Sequence, residues 1–245
     1  MGGGHWQGEA ALAPGIGLFR GHSGDNRAHR HWAHQVSFAL DGTIKFKVND
    51  IEYCGAGFLI PAGIKHRQLE ANVLSVYVDP TSTFLDALSL PLSHSPTVLA
   101  LSEANIQKLV SLFPADCPLS ECLARFFKAL GAENPRQQAD PKLTLVLAAL
   151  NKAVEDNATI DREQLARICH LSPSRFSHWF SQKTGMPLRS YRKWLRLIKA
   201  LEAAVLTRSL SHAAVDAGFS DQSHFTRAVS EAFGVSPTDI LKLLD

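Results

Sequence analysis

The feature that most constrains this chain is a short plan that occurs twice between residues 160 and 237. In each copy, a short helix is followed by a tight turn and by a second helix that begins at a Ser or Asp N-cap and ends at a Gly C-cap signal. The first copy covers residues 164–187 and the second covers residues 212–237. Helix, short turn and helix make a helix-turn-helix motif, whose second helix can enter a DNA major groove.

The pair of motifs resembles the DNA-binding domain of the AraC/XylS family of bacterial transcription regulators. Residues 217–227, AGFSDQSHFTR, and residues 233–237, FGVSP, carry that family's most characteristic signature. The resemblance covers roughly residues 141–245, because both motifs occur in order and at the right separation. It implies an α+β protein of two domains, in which an N-terminal cupin-like β-barrel with a helical hairpin precedes an all-α domain. In the second domain, a long helix joins the two helix-turn-helix motifs.

The N-terminal region is predicted to be a β-structure independently of that resemblance. Short segments rich in β-branched and aromatic residues are separated by turn signals such as Asp41-Gly42 and Asn49-Asp50. The predicted strands include residues 34–40, 43–48, 57–60 and 73–78. Several short strands with regular turns favour a barrel or a double-sheet jelly roll.

Histidines and glycines in this region follow the spacing of the two cupin motifs. The first motif is represented by His29, His31, Gln35 and Gly42, and the second by Gly55, Pro61, Gly63 and His66. The region therefore resembles a cupin barrel, the usual sensor domain of the AraC family. It departs from the cupin pattern at Gln35, where cupins usually carry Glu, and at Glu70, which stands where they carry Asn.

The cupin resemblance implies that His29, His31, Gln35 and His66 converge inside the barrel, with His34 as a spare. Imidazoles suit a divalent first-row metal. Gln is an uncharged and weaker ligand than Glu, which counts against tight binding. The alternatives are a polar pocket for a small-molecule effector and a degenerate barrel that keeps its histidines but binds nothing.

Two helices are predicted after the strands, over residues 102–113 and 118–130, each with an apolar stripe. In the first helix the stripe consists of Ile106, Leu109, Val110 and Phe113. Either both stripes pack on the barrel or, as the resemblance implies, the helices pair two subunits in a homodimer. We predict a sensor and dimerisation domain over 1–132, with its barrel at about 15–80 and helices at about 102–130. A polar linker over 133–140 and a DNA-binding domain over 141–245 follow.

Each second helix of a motif has an apolar side, predicted to be buried, and a polar side. The predicted base-facing residues are Ser174, Ser177, His178, Gln222, Ser223, Thr226 and Arg227. Gln222 and Arg227 are expected to discriminate most strongly between bases, because Gln can form a bidentate pair with adenine and Arg with guanine. The alternatives for Arg227 are a phosphate contact and an ion pair with Asp221 or Glu231. His170 occupies a turn position where the family often has Gly, and His tolerates positive φ better than most residues.

A long helix is predicted over residues 187–206, between the motifs. At 1.5 Å per residue it spans about 30 Å, close to the helical repeat of DNA of about 34 Å. It could therefore hold two reading helices in successive major grooves. Its predicted buried stripe is Leu188, Tyr191, Leu195, Ile198, Leu201 and Val205. The predicted phosphate contacts are Ser172, Arg175, Arg189, Arg192 and Arg196. For these arginines the alternatives are a solvated surface and, for Arg175, a bracing contact within the fold.

Charge and composition agree with these assignments. Residues 141–245 contain 14 Lys and Arg against 10 Asp and Glu, whereas residues 1–140 contain 11 against 13. The excess of positive charge therefore lies where DNA contact is predicted. With no long apolar run and no signal peptide, the protein is expected to be cytoplasmic, without a membrane span. Four cysteines without CxxC spacing, Cys54, Cys117, Cys122 and Cys169, are expected to be reduced and buried.

These observations predict a sequence-specific transcription regulator, an activator, whose DNA binding is modulated by an effector or a metal in the cupin domain. The implied partners are double-stranded DNA, a second copy of the chain, a small-molecule effector and RNA polymerase. The alternative is a metal-dependent cupin enzyme with a DNA-binding appendage. Gln35 counts against that enzyme, and no other catalytic constellation stands out in the sequence.

Overall fold

The computed structural model describes residues 6–24, 26–82, 84, 97–129 and 140–244. The chain divides into two compact units, one formed by Met1–Pro135 with Ser230–Asp245 and the other by Arg136–Val229. The first unit contains antiparallel β-sheet and the second is helical, which confirms the predicted α+β fold class with two domains. The predicted linker lies almost entirely outside the described residues, so its bounds stay a prediction. Residues 230–244, which we assigned to the DNA-binding domain, belong to the first unit and are described with it.

The strands of the first unit form two antiparallel sheets. They are β1 (Gln7–Ala13), β2 (Ile16–Ser23), β3 (His34–Ala39), β4 (Ile44–Val48), β5 (Ile51–Gly55), β6 (Gly57–Ile60), β7 (His66–Gln68), β8 (Ala71–Val78) and β9 (Leu99–Ala100). The larger sheet has the order β1-β2-β8-β3-β6-β9 and the smaller has the order β5-β4-β7. Two antiparallel sheets built from short strands agree with the predicted double-sheet architecture.

Residue type explains the hairpin of the smaller sheet. In β4 the apolar residues Ile44, Phe46 and Val48 are buried, whereas the lysines between them are exposed, as expected for a strand with one face on the core. Asn49 and Asp50 turn the chain into β5 with φ of 47° and 65°. Asn and Asp are the residues other than Gly that most readily adopt this left-handed conformation.

Two helices, α1 (Glu103–Leu112) and α2 (Leu119–Ala129), close the core of the larger sheet. The buried stripe of α2, which is Leu119, Cys122, Leu123 and Phe126, packs with the inward residues of the sheet. Leu109 of α1 and Phe113, which caps the end of that helix, are buried in the same core, but Val110 of α1 is 47% exposed. The predicted stripe of α1 is therefore wrong at Val110, because the helix turns that residue away from the sheet.

The second unit holds most of the predicted helix-turn-helix region. Its helices are α3 (Pro141–Glu155), α4 (Arg162–Ile168), α5 (Pro173–Thr184), α6 (Leu188–Thr207), α7 (Leu210–Asp216) and the first part of α8 (Gln222–Phe233). The last helix, α9 (Pro237–Leu243), belongs to the first unit.

The long helix α6 is continuous, as predicted, but its buried face is wider than the predicted stripe. Tyr191, Leu195 and Leu201 are buried, whereas Leu188, Ile198 and Val205 are only half-buried. The face also includes residues that the prediction missed, namely Trp194, Leu197, Ala200 and Ala204. This wider face is explained by the packing of α3, α5 and α7 around one helix.

The cysteines are free thiols, and Cys117, Cys122 and Cys169 are buried. Cys54 is exposed, so the prediction of burial is wrong for that residue. Its neighbours in β5 include exposed residues because this strand lies at the edge of the smaller sheet. Within the described part of the chain, no helix combines the length and apolar character needed to cross a membrane.

Candidate DNA interface and histidine site

The first helix-turn-helix motif consists of α4 and α5, and its helix ends are set by local hydrogen bonds. At the start of α4, the Asp161 carboxylate accepts from the Gln164 backbone N–H at 2.6 Å, and the Gln164 side chain accepts from the Asp161 N–H at 2.7 Å. This reciprocal pair is a capping box. The Ser172 hydroxyl accepts from the Arg175 N–H at the start of α5, and Gly185 ends that helix with a φ of 72°.

The second motif consists of α7 and α8, and its turn has the same backbone geometry as the first. Leu171 donates to the carbonyl of Ala166 at 3.0 Å, and Phe219 donates to the carbonyl of Ala214 at 2.9 Å. The residue before each donor has positive φ, 55° at His170 and 76° at Gly218. His170 thus takes the position that Gly fills in the second copy, which confirms that the turn survives with His there.

The reading helices are anchored by their apolar sides. Phe176 and Phe180 of α5 and Phe225 and Val229 of α8 are completely buried, as predicted. On the opposite side of α5, Ser174 and His178 are exposed. Ser177 is half-buried, and its hydroxyl donates to the Pro173 carbonyl at 3.1 Å. A base contact by Ser177 would therefore compete with a bond inside the helix.

The polar side of α8 is more open. Gln222, Ser223 and Arg227 are exposed, and Thr226 is half-buried. The Oε1 atom of Gln222 accepts from the Ser211 hydroxyl at 2.6 Å, which orients the amide from the preceding helix. Asp221 caps α8 by accepting from the His224 N–H at 2.7 Å, and this hydrogen bond is the main cause that lowers the pKa of its carboxyl. Arg227 makes a smaller contribution to that shift, because its charge favours the carboxylate.

Two of the predicted phosphate-contact residues, Arg189 and Arg192, lie together beside α5. A surface cavity of about 400 Å³ is lined there by residues that include Ser177, Ser181, Arg189 and Arg192. Arg189 and Arg196 are exposed. Arg192 is half-buried, and one of its amino groups donates to the Ile160 carbonyl, so this side chain also ties α6 to the start of the first motif. Arg175 and the capping residue Ser172 are exposed near the start of α5.

The predicted cupin residues do come together in the first unit. His29, His31 and His66 are buried, and the ligand nitrogens of these imidazoles all lie within 4.8 Å of one another. An isolated bridge pairs the backbone of His29 with that of His66, and Gln35 lies on β3 with its Oε1 atom facing the cluster. His34, the predicted spare, is not a member of the cluster: its Nδ1 atom accepts from the Ala62 N–H at 3.2 Å.

Burial keeps these imidazoles neutral. Desolvation is the main cause that lowers the pKa of His29 to about 3 and that of His66 to about 2, with a further contribution from the charge of His31. Desolvation also lowers the pKa of His31, against hydrogen bonds that raise it. Neutral imidazole is the form that binds a metal.

The tautomer of each histidine follows from its backbone contacts. The Nδ1 atoms of His29, His31 and His66 lie 2.8–2.9 Å from the carbonyl oxygens of Arg27, Ala33 and Ile64. A carbonyl oxygen can only accept, so each Nδ1 carries the proton and each Nε2 has a lone pair. Nevertheless, the Nε2 atoms of His31 and His66 lie 3.1 and 3.0 Å from another acceptor, Oε1 of Gln35.

A relay of hydrogen bonds fixes the Gln35 amide in this orientation. The Ser23 hydroxyl donates to the Ala71 carbonyl and accepts from Nε2 of Gln68 at 2.7 Å. Oε1 of Gln68 then accepts from Nε2 of Gln35 at 3.0 Å. Because the Ala71 carbonyl can only accept, the direction of the whole relay is set, and Gln35 must present its oxygen to the imidazoles.

Sequence reasoning identified Gln35 but missed the other two members of this relay. Gln68 and Ser23 lie outside the cupin motif positions, and their types alone do not distinguish them from surface residues. The sequence signal that could have indicated this network was the strand pattern. Side chains alternate along β3, so Gln35 and Ser37 lie on the same face of the strand, next to the segment that contains the predicted histidines. Ser37 accepts from Gln35 and lies 2.7 Å from Ser75, so buried polar side chains extend well beyond the cluster.

Comparisons with known proteins bear on both regions. Residues 165–242 match the family described as "Helix-turn-helix domain". The probable transcriptional regulator LumQ of Photobacterium leiognathi is 25% identical over 228 residues, which cover 86% of this chain and 90% of LumQ. The arabinose operon regulatory protein of Escherichia coli K12 is 32% identical over 84 residues, which cover 34% of this chain and 29% of that protein.

The similarity in fold extends over most of the chain. The crystal structure of ToxT from Vibrio cholerae O395 matches with a TM-score of 0.59 and 11% identity, over 95% of this chain and 99% of ToxT. At this identity the match shows a shared fold and no more.

A sheet domain combined with two helix-turn-helix motifs defines a DNA-binding transcription regulator, not an enzyme. Residues 165–242 therefore carry a helix-turn-helix domain, and this chain is similar to proteins named as transcription regulators.

Proposed function

We propose that this regulator reads specific DNA sequences with the exposed polar sides of α5 and α8. The observation that supports this most strongly is the repeated turn, which sets two anchored helices in the same way. The proposed base-facing set remains Ser174, Ser177, His178, Gln222, Ser223, Thr226 and Arg227. Gln222 has the best support, because Ser211 already orients its amide before DNA arrives.

The proposed phosphate contacts are led by Arg189 and Arg196, which are exposed on α6. Arg175 and Ser172 have suitable positions near the start of α5, where exposed N–H groups also favour an anion. Arg192 can contribute charge but has part of its guanidinium committed to Ile160. Contacts of this kind strengthen binding to all sequences and make it sensitive to salt.

We further propose that a divalent first-row metal ion binds His29, His31 and His66, with Gln35 as an oxygen ligand. Two Nε2 lone pairs face Oε1 of Gln35, and among the described residues these three buried acceptors have no donor between them. One proton could satisfy only one of the two histidine–glutamine contacts, whereas a cation placed among the acceptors would satisfy all of them. The chemistry of the residues therefore fits a metal, which would supply the positive charge missing from the cluster.

A small-molecule effector is the second candidate for this domain. ToxT has been crystallised with a bound unsaturated fatty acid, in a structure that matches this chain with a TM-score of 0.53. The interior of the present barrel is lined by Gln35, Ser37, Gln68 and Ser75, all buried and hydrogen-bonded to one another. This lining favours an ion over an alkyl chain, which would leave those polar groups without partners.

We also propose two protein partners for the regulator. The exposed Val110 on α1 supports a homodimer formed through that helix, in contrast to α2, whose stripe is used by its own sheet. Contact with RNA polymerase follows from the proposed role as an activator. Light scattering of the full chain and of Val110→Asp tests the dimer, which the charge is expected to dissociate.

The metal proposal is tested by titrating the purified full chain with Zn²⁺ and Co²⁺. We expect one ion per chain, and we expect His66→Ala to lower the affinity by at least about 10-fold because it removes a ligand. Co²⁺ bound by this cluster should also give ligand-field absorption in the visible range. His178→Ala, which removes an exposed histidine of α5, is the matched control and should bind like the wild type. Equal affinity in the wild type and in His66→Ala would contradict the proposal.

A further inference from the structure

The histidine site has one side that neither sheet provides. Phe233, at the end of α8, lies against His31 with ring centroids 6.0 Å apart and planes inclined by 24°, which is an offset stack. The backbone carbonyl of Glu231 accepts from the Arg30 N–H at 3.3 Å. These contacts place residues 231–234 beside the first cupin motif, within the first unit.

Gly234 shows how closely this segment approaches the cluster. A Cβ atom at this position would lie 2.9 Å from the Arg27 carbonyl oxygen and 3.0 Å from Nδ1 of His29. Those two atoms form the hydrogen bond that fixes the tautomer of His29. With a φ of 73°, Gly234 also adopts a conformation that favours glycine. The segment therefore lies directly against a proposed metal ligand.

The segment is held at a second point. Ser236 caps α9, and Leu243 at the end of that helix packs with the cluster that contains Phe19 and Phe46. Residues 231–243 thus contact the first unit both at the histidines and at the apolar core of the sheets. These two separate contacts together define the position of the docked segment.

We propose that residues 230–244 form the outer wall of the histidine site, and that metal binding and docking of this segment stabilise each other. The inference rests on the proposed metal site. A metal ion draws electron density from the imidazole that binds it, and a more positive His31 is a better partner for the π face of Phe233. A ligand that favours the docked segment must, by reciprocity, bind more tightly when the segment is docked.

The proposal gives the sensor domain a direct route to DNA reading. Gln222 and Arg227 lie on the same continuous helix as Phe233. The occupancy of the histidine site would therefore determine how firmly the C-terminal end of the second reading helix is held. No rearrangement of the barrel is needed, because the helix itself carries the connection.

Hydrogen exchange of the full chain, with and without Zn²⁺, tests the coupling. We expect peptides covering residues 230–244 to exchange several-fold more slowly when Zn²⁺ is bound, and we expect His66→Ala to abolish that effect. Phe233→Ala should lower Zn²⁺ affinity about 5- to 10-fold, within the range of ordinary coupling between sites. Phe233→Leu keeps much of the side-chain volume but lacks the ring. Its Zn²⁺ affinity should therefore lie between those of the wild type and Phe233→Ala.

Glu231→Ala is the matched control, because its side chain is exposed and only its backbone carbonyl makes the contact. It should bind Zn²⁺ as the wild type does. The coupling is overturned if Zn²⁺ binds but leaves exchange in residues 230–244 unchanged, or if Phe233→Ala binds Zn²⁺ normally.

Failure of the metal site itself would look different. In that case the wild type and His66→Ala would bind Zn²⁺ equally. Docking is still measured without metal, because Phe233→Ala should speed exchange in residues 230–244. Unchanged exchange in that variant would overturn the docking half of the proposal.

Discussion

Replacing both Gln222 and Arg227 with Ala is expected to remove most of the ability of this regulator to distinguish its operator from other DNA. Each bidentate contact with a base contributes about 1–3 kcal/mol of discrimination, so the pair should reduce the specificity ratio by at least about 30-fold. Both side chains are exposed on α8 and leave the buried anchors Phe225 and Val229 untouched. The measurement is a competition assay of the full chain on its selected operator and on scrambled DNA.

The Arg189→Ala variant distinguishes sequence-specific base contacts from sequence-independent phosphate contacts. This exposed residue of α6 is proposed to contact phosphate, so its loss should weaken binding to operator and scrambled DNA alike. The slope of log affinity against log salt should also fall by about 1 in this variant. If the Gln222/Arg227 variant weakened both DNAs equally, the two residues would be phosphate contacts and their assignment as readers would be wrong.

Acid is expected to destabilise the metal-free sensor unit strongly. Burial lowers the pKa of His29 to about 3 and that of His66 to about 2, from 6.5 for an unshifted imidazole. At pH values between these folded-state pKa values and 6.5, the unfolded chain binds more protons than the folded one. The free energy of unfolding is therefore highest above about pH 6.5 and falls as the pH decreases. At pH 5 the loss is about 2 kcal/mol for each such imidazole. Urea unfolding in EDTA at pH 7.5 and pH 5 measures it.

A variant isolates the histidine contribution. His66→Gln should reduce the difference in the free energy of unfolding between pH 7.5 and pH 5 by about 2 kcal/mol, whatever its effect on stability at pH 7.5. The exposed histidine of α7, His212, gives the matched control in His212→Gln, which should leave the difference as it is in the wild type. A wild-type stability that is the same at both pH values would show that these imidazoles are not buried as neutral groups.

Much of the DNA-binding region follows from local sequence signals. Caps such as Asp161, Ser172 and Gly185 act on neighbouring backbone atoms, so their effect can be derived without knowing the rest of the fold. The buried pairs Phe176 with Phe180 and Phe225 with Val229 follow from helical periodicity in the same way. The resemblance to cupins likewise implied that His29, His31 and His66 are neighbours, and the structure brings them together.

The predictions that failed depend on packing between distant elements. Three neighbouring helices determine which side of α6 is buried. Trp194 and Ala200 are therefore buried, although helical periodicity alone predicted a narrower buried face. Val110 is exposed because α1 turns it away from the sheet, although its spacing fits the apolar stripe. The relay from Ser23 through Gln68 to Gln35 joins residues far apart in sequence, and no local pattern indicates it. The contact of Phe233 with His31 is of the same kind.

The central claim is that α5 and α8 are two separate reading helices of one chain, joined by the helix α6 of about 30 Å. The most direct test selects operators from random DNA with the full-length wild type, with Ser174→Ala/His178→Ala, and with Gln222→Ala/Arg227→Ala. The wild type should select two short boxes whose centres lie about one helical turn, or about 10 base pairs, apart. Each double variant should lose the sequence preference of one box and keep that of the other. Selection of a single box, or loss of the same box in both variants, would contradict the claim that both helices read DNA.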